Sequence, residues 1–286
     1  MPLESLAGRA YGPHPFRVCP DKVAEYVLAT GDDPVRWIRF APPAFASLAL
    51  FSVAPAFLED PAVAPHTQVL VHVDQTFRWH LPWSIEDALF VRGTVDRVRA
   101  RSAGSFVTFA MTVNNAAGER VLDSGSTFLM SSGSTDPSDE EMEPPVGLAA
   151  RNDLPDRVPF PAVGEALPGM TKSASRHDLV RYAGATRDWN PIHFDHDAAV
   201  AAGLPGVVVH GLLMAAWAAQ AGTRLVDHPR PLAEARFRFR APLRPGDQVA
   251  VTGVVETDSG PAARLNVQVV AGDVERMSAT MVVART

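Results

Sequence analysis

In the downstream half of the chain, hydrophobic and polar positions follow first a helical rhythm and then a strand rhythm. His177 to Ala185 spaces its apolar residues as one face of a helix, and Gly211 to Arg224 is apolar on nearly every position. The run Leu212-Leu213-Met214-Ala215-Ala216-Trp217-Ala218-Ala219 is rich in helix formers, which predicts a long buried helix. Period-two alternation then predicts strands at Ala235 to Ala241, Gln248 to Glu256, Arg264 to Val270 and Met277 to Val283. Between them stand the turn signals Pro245-Gly246-Asp247, Ser259-Gly260-Pro261 and Gly272-Asp273. A helix that is apolar all round has to be covered on most sides, and antiparallel strands curling around it would provide that cover. The pattern is that of an α+β unit.

The upstream half repeats this plan. At an offset of 156, Val23, Tyr26, Ala29, Thr30 and Asp32 fall on Leu179, Tyr182, Ala185, Thr186 and Asp188. At an offset of 160, Phe77, Arg78, Trp79, Pro82, Asp87, Val91, Gly93 and Val95 fall on Phe237, Arg238, Phe239, Pro242, Asp247, Val251, Gly253 and Val255. Two copies of one unit explain a conserved order with so small a drift. Between them, the Ser-, Pro- and acid-rich stretch around Asp139-Glu140-Glu141 and Pro144-Pro145 cannot bury enough surface to offset the entropy of ordering it. The expected division is 1–132, a linker at 133–160, and 161–286.

Composition narrows the chemistry. With 286 residues, 47% hydrophobic and 20% charged, the chain has enough material for two cores. A net charge of −6 gives no basic footprint for nucleic acid or an anionic membrane. Cys19 is the single cysteine, which excludes a disulfide framework and a multi-cysteine metal site and fits a reducing compartment. The apolar stretch Phe45 to Phe57, interrupted by Pro55, is too short to cross a bilayer, and the start lacks a signal-peptide pattern, so a cytoplasmic location is expected.

The chemistry concentrates in Tyr182 to Asp195. Asp188 and His193 lie five apart, on different faces of a continuous helix, but Pro191 disfavours a helical Asn190, and a turn there can bring carboxylate and imidazole together. Such a pair around one water suffices for general acid/base work, with Asn190 fixing the water or a partner. Asp188 and Asn190 could equally serve as turn-capping groups, and His193 as a structural histidine. Seventeen residues beyond His193, Val207-Val208-Val209-His210-Gly211-Leu212 runs from a strand-like segment into the apolar helix. Backbone N–H groups at that helix start, Gly211 among them, would form an oxyanion site. His193-x-x-His196 lacks the i, i+4 spacing of zinc hydrolases, so no metal is expected, and the glycines form no nucleotide fingerprint. Arg236, Arg238 and Arg240 share one face of a strand: either a solvated outer face or a contact for carrier phosphates.

Tyr182, Asp188, Asn190, Pro191, His193, Asp195, His210, Gly211 and Leu212 together resemble the signature of the MaoC-like dehydratase, or (R)-specific enoyl-CoA hydratase, family. The resemblance implies a double hotdog: two repeats, each a long helix wrapped by an antiparallel sheet, the first degenerate. It also implies a hydro-lyase that reversibly adds water to trans-2-enoyl thioesters of CoA or a carrier protein, giving (R)-3-hydroxyacyl thioesters without a cofactor. Asp188 and His193 would be the acid/base pair, Asn190 their assistant and the Gly211 amide the oxyanion donor. His210, Leu212, Trp189 and Arg240 would line the substrate. Arg187 departs from the family, in which glycine commonly precedes the aspartate. The repeat places Trp37 opposite His193 and Pro34 opposite Asn190, so one active site per chain is expected, with the first copy housing the acyl tail near Trp37, Phe40 or Phe45. The assembly expected is a monomeric pseudo-dimer or a homodimer. A non-catalytic acyl-binding subunit and a hotdog thioesterase are the alternatives.

Overall fold

The computed structural model describes residues 3–102, 104–133 and 156–285; most of the expected linker lies outside them. Five strands come from each half: β1 Ala10–Arg17, β2 Val69–Trp79, β3 Ala88–Arg101, β4 Gly104–Asn115 and β5 Arg120–Ser131, then β6 Met170–Ser173, β7 Leu232–Phe239, β8 Gln248–Asp258, β9 Ala262–Ala271 and β10 Val274–Ala284. Among the described residues they form one antiparallel sheet in the order β1-β3-β4-β5-β2-β7-β10-β9-β8-β6. Read outward from the centre, the two halves have the same order.

The joint is β2 against β7. Thr76 pairs with Arg236, and Gln75 and Phe77 pair with Phe237 and Ala235. Thr76 and Arg236 are equivalents at the 160 offset, so the register is symmetric about this pair and a pseudo-two-fold axis passes through it. The outer edges are blunt. Strand β1 carries Pro13 and Pro15, which cannot donate to a further strand, and β6 has only four residues.

The helices repeat too. α1 (Pro20–Thr30) and α3 (Arg176–Thr186) pack on each other across the axis, with Tyr26 and Tyr182 ring centroids 6.2 Å apart. Ser175 and Asp178 form a reciprocal capping box that starts α3. α2 (Ser47–Leu58) and α5 (Gly211–Thr223) are the long apolar helices, α5 buried from Leu212 to Thr223 beneath β7 to β10. The predicted helices and four downstream strands appear with their ends shifted by no more than three residues. Pro55 does not break its apolar stretch: it sits in the last turn of α2, where its missing N–H removes a single helical bond. A short helix, α4 (His196–Ala201), follows the motif loop and is capped by Asp195, whose side chain accepts from the Ala198 N–H.

Candidate active site

The loop between α3 and α4 carries the acidic and basic groups. Helix α3 ends at Arg187, whose N–H bonds to Ala183 O at 2.7 Å while its backbone takes a left-handed conformation, φ 66°. For a residue with a Cβ this conformation costs roughly 1–2 kcal/mol. Gly31 caps α1 in the same conformation, φ 59°, at the equivalent position. After Asp188, Asn190 caps a 3-10 turn, Pro191–His193. Its Oδ1 accepts from the Ile192 N–H at 3.4 Å and its Nδ2 donates to Leu70 O of β2 at 3.0 Å. The Asn190 side chain therefore pins the loop against the first repeat.

The turn brings Asp188, His193 and His210 together, one ligand atom from each lying within 4.8 Å of the others. His193, 7% exposed, donates through Nδ1 to Val208 O at 2.8 Å. A carbonyl only accepts, so Nδ1 carries the hydrogen and Nε2 keeps its lone pair. Burial pushes the imidazole down to about 4, against the opposing pull of Val208 O. The Asp188 carboxyl is pushed up to about 7 by burial, opposed by the Asn190 backbone N–H. Near neutral pH the pair thus consists of an acid close to its midpoint and a neutral base.

His210 lies behind His193. Expected to touch substrate, it is instead fully buried, off the cavity wall, with its ring stacked on His193 at 3.7 Å and 24°. Its Nε2 donates to the Asp188 main-chain carbonyl at 3.3 Å. Burial first and the neighbouring His193 second push its pKa well below the usual histidine range. The three side chains are close enough to meet a cation. Ring lone pairs lie in the ring planes, however, and two stacked rings aim them side by side, so shared ligation at the usual 2.0–2.1 Å would require one ring to turn.

These groups open onto a cavity of about 780 Å³. Gly211 and Leu212, at the first positions of α5, line it; N–H groups there lack intrahelical partners, and His210 provides no side-chain cap. A Cβ on Gly211 would stand 3.1 Å from the Phe239 ring, so glycine keeps this helix start close to the cavity wall. Trp189, 53% exposed, and Arg240 lie on the solvent-facing part of the lining with Arg187.

The first repeat shares the apolar wall with the second, contributing Leu50, Phe51, Ala54, Phe57 and Leu58 of α2 together with Phe109 and Phe128. This corrects the expectation for the tail. Trp37 and Phe45 are buried in the first repeat's own core, and neither they nor Phe40 line the cavity. Sequence reasoning also missed His72, which enters the lining beside a β-bulge in β2 and packs on Phe128 and Phe239. Alternation in β2 hides it, because a bulge resets which side chains face inward.

Of the arginine triad, Arg236 pairs with Asp74 at 2.9 Å and Arg238 lies 3.8 Å from the same carboxylate, so both serve the outer face. Arg240 reaches both the cavity mouth and Glu275, at 3.5 Å. In the first repeat Asp32 is buried beside Trp37, with no imidazole at the equivalent place, and the loop is tied down by Lys172 on Gly31 O and Gln220 on Thr30 O. Asp32→Asn is expected to leave turnover within about twofold, as for a side chain remote from the reacting atoms, in a steady-state assay alongside the wild type.

Two symmetric strand quintets, each with a long apolar helix, and, among the described residues, one buried cluster of a carboxylate and two imidazoles near a helix start define a two-repeat hotdog protein with a candidate catalytic centre in its downstream half. The downstream half matches the family model of the MaoC like domain over residues 162–276, and the upstream half matches the FAS1-like dehydratase domain region over residues 5–124. The chain belongs to the MaoC-like dehydratase family. It is 31% identical over 155 residues to a UPF0336 protein of Saccharopolyspora erythraea, covering 49% of this chain and 99% of that one. It is 33% identical over 87 residues to an (R)-specific enoyl-CoA hydratase of Rhodospirillum rubrum, covering 30% and 60%. A solved MaoC-like dehydratase superposes with a TM-score of 0.82 at 24% identity, over 100% of both chains. The fold is the double hotdog that the sequence motifs implied.

Proposed function

We propose that the protein reversibly hydrates trans-2-enoyl thioesters to (R)-3-hydroxyacyl thioesters, with Asp188 and His193 as acid and base. The observation that carries this reading is the approach of an Asp188 carboxylate oxygen and a His193 ring nitrogen to within 4.8 Å, on a cavity that Gly211 and Leu212 at the N-terminus of α5 also line. The family membership and the name of the Rhodospirillum rubrum relative support the substrate class.

In the hydration direction, water attacks C3 while His193 Nε2 takes its proton. The C2=C3 electron pair moves toward the thioester oxygen, where the Gly211 N–H stabilises the developing enolate. Asp188 then delivers its proton to C2, so the sum is one added water. The pair is left as carboxylate and imidazolium and resets when the proton returns through solvent. Dehydration runs the same steps backward from carboxylate and imidazolium. Asn190, with both ends of its amide on backbone groups, holds the loop that positions the pair.

Both directions use the pair with one proton on it, and the equilibrium constant for adding neutral water does not change with pH. The pH profiles of kcat/KM are therefore expected to be bell-shaped and superimposable, with limbs at about 4, where His193 gains a second proton for the pair, and about 7, where Asp188 loses the last. A profile rising steadily through pH 8 would contradict this assignment. The activity itself is tested with a short trans-2-enoyl-CoA: hydration removes the enoyl absorbance without releasing thiol. Thiol release would mean hydrolysis, and neither signal would mean binding alone.

A further inference from the structure

We propose that Arg187 recognises a phosphate on the carrier arm of the substrate, which makes it a specificity determinant at the cavity mouth. The inference rests on the reading of the cavity as a thioester site.

Three observations converge on this residue. The backbone at Arg187 is left-handed, and the equivalent cap in the first repeat, which is not on the lining of this cavity, is Gly31. The two copies thus share one turn, but only the copy with the cavity places a long cationic side chain there, against the local backbone preference. Strain of this kind persists where something else depends on the side chain. Second, Arg187 is exposed, lines the cavity and directly precedes Asp188. Third, the other arginine on the cavity lining, Arg240, is engaged with a carboxylate, Glu275, at 3.5 Å. The Arg187 guanidinium makes no ion pair among the described residues, although Glu59 and Asp188 also line the cavity.

The geometry selects the ligand. With the thioester oxygen at Gly211 and the acyl chain along the apolar wall from α2, the carrier arm has to leave through the exposed part of the lining, past Arg187, Trp189 and Arg240. That arm is where the substrate carries phosphate, and a planar guanidinium matches phosphate oxygens with two parallel hydrogen bonds. The phosphate can belong to the pantetheine end, common to CoA and carrier proteins, or to the nucleotide end of CoA.

The test uses Arg187→Gly, which substitutes the first repeat's own residue at this cap and is expected to fold with a raised Tm. Wild type and variant are compared on the enoyl thioesters of CoA, 4′-phosphopantetheine and unphosphorylated pantetheine. The preference for CoA over pantetheine, as a ratio of kcat/KM values, is expected to fall about tenfold in the variant, and the gap should shrink at high salt. A parallel loss with phosphopantetheine assigns the pantetheine phosphate, and a loss with CoA alone assigns the nucleotide end. An unchanged preference overturns the proposal. Should wild type turn over none of these thioesters, hydration is the failed reading, and titration with free CoA at low salt decides about Arg187. Binding about tenfold weaker in the variant upholds its role, and equal affinity overturns it.

Discussion

Asp188→Asn is expected to lower turnover of a trans-2-enoyl-CoA by a factor on the order of 10² or more while making the protein harder to unfold. Both effects have one cause. Burial holds the carboxyl up at about 7, whereas in the unfolded chain it titrates near its ordinary value of 3.8. Between those two pH values the folded state binds the extra proton, so Asp188 takes stability away as pH rises, and the loss is complete above about 7. One pKa unit corresponds to about 1.4 kcal/mol, which makes the loss a few kcal/mol at most. Asparagine has the same shape and does not titrate. Its Tm advantage over wild type should be absent near pH 4, grow toward pH 7 and then level off, as followed by circular dichroism melts across that range. A variant that is folded, no more stable at pH 8 than at pH 4 relative to wild type, and near-normal in rate would remove Asp188 from the chemistry.

His193→Ala is expected to cost a similar factor in turnover, on the order of 10² or more, with the opposite effect on stability. At pH 8 the ring is neutral in both folded and unfolded chains, because its folded pKa, about 4, lies below the ordinary 6.5. No relief of charge burial can follow from removing it there. What is lost is the hydrogen bond to Val208 O and the stack on His210, leaving a buried carbonyl without its donor. A destabilisation of about 1–3 kcal/mol is the expected scale for such a group. The penalty should shrink below pH 6.5, where wild type itself loses stability because folding keeps His193 neutral. Denaturant titration at pH 8 and pH 5 checks the sign, and a folded variant with normal turnover would exclude His193 as the base.

Much of this molecule is legible in its sequence. The downstream strands show because one face is buried and the other solvated, so alternation marks them directly. Helix α5 shows because it is enclosed, and an enclosed helix has no polar stripe. Asp188 and His193 could be joined in advance because Pro191 forces a turn between them. What was hidden depends on side chains meeting across long separations. His210 reads as a pocket residue next to Gly211, yet the chain direction at the start of α5 turns its ring behind His193. Part of the apolar wall comes from α2, whose Phe51 and Phe57 look no different in sequence from the core residue Phe45; only the packing of the two repeats decides which of them faces the cavity. Arg187 stands out as a departure, but its left-handed backbone and its match with Gly31 need coordinates.

The axis through Thr76 and Arg236 makes this chain a heterodimer in a single polypeptide. In an assembly of two identical subunits, every substitution strikes both sides of the axis at once, and a change that enlarges one pocket also damages the other. Here Trp37 stands where His193 would be mirrored, and α2 lends its flank to the neighbour's cavity. With the copies joined end to end, each half can change alone: the downstream half holds the Asp188, His193 and His210 cluster, and the upstream half contributes part of the cavity wall.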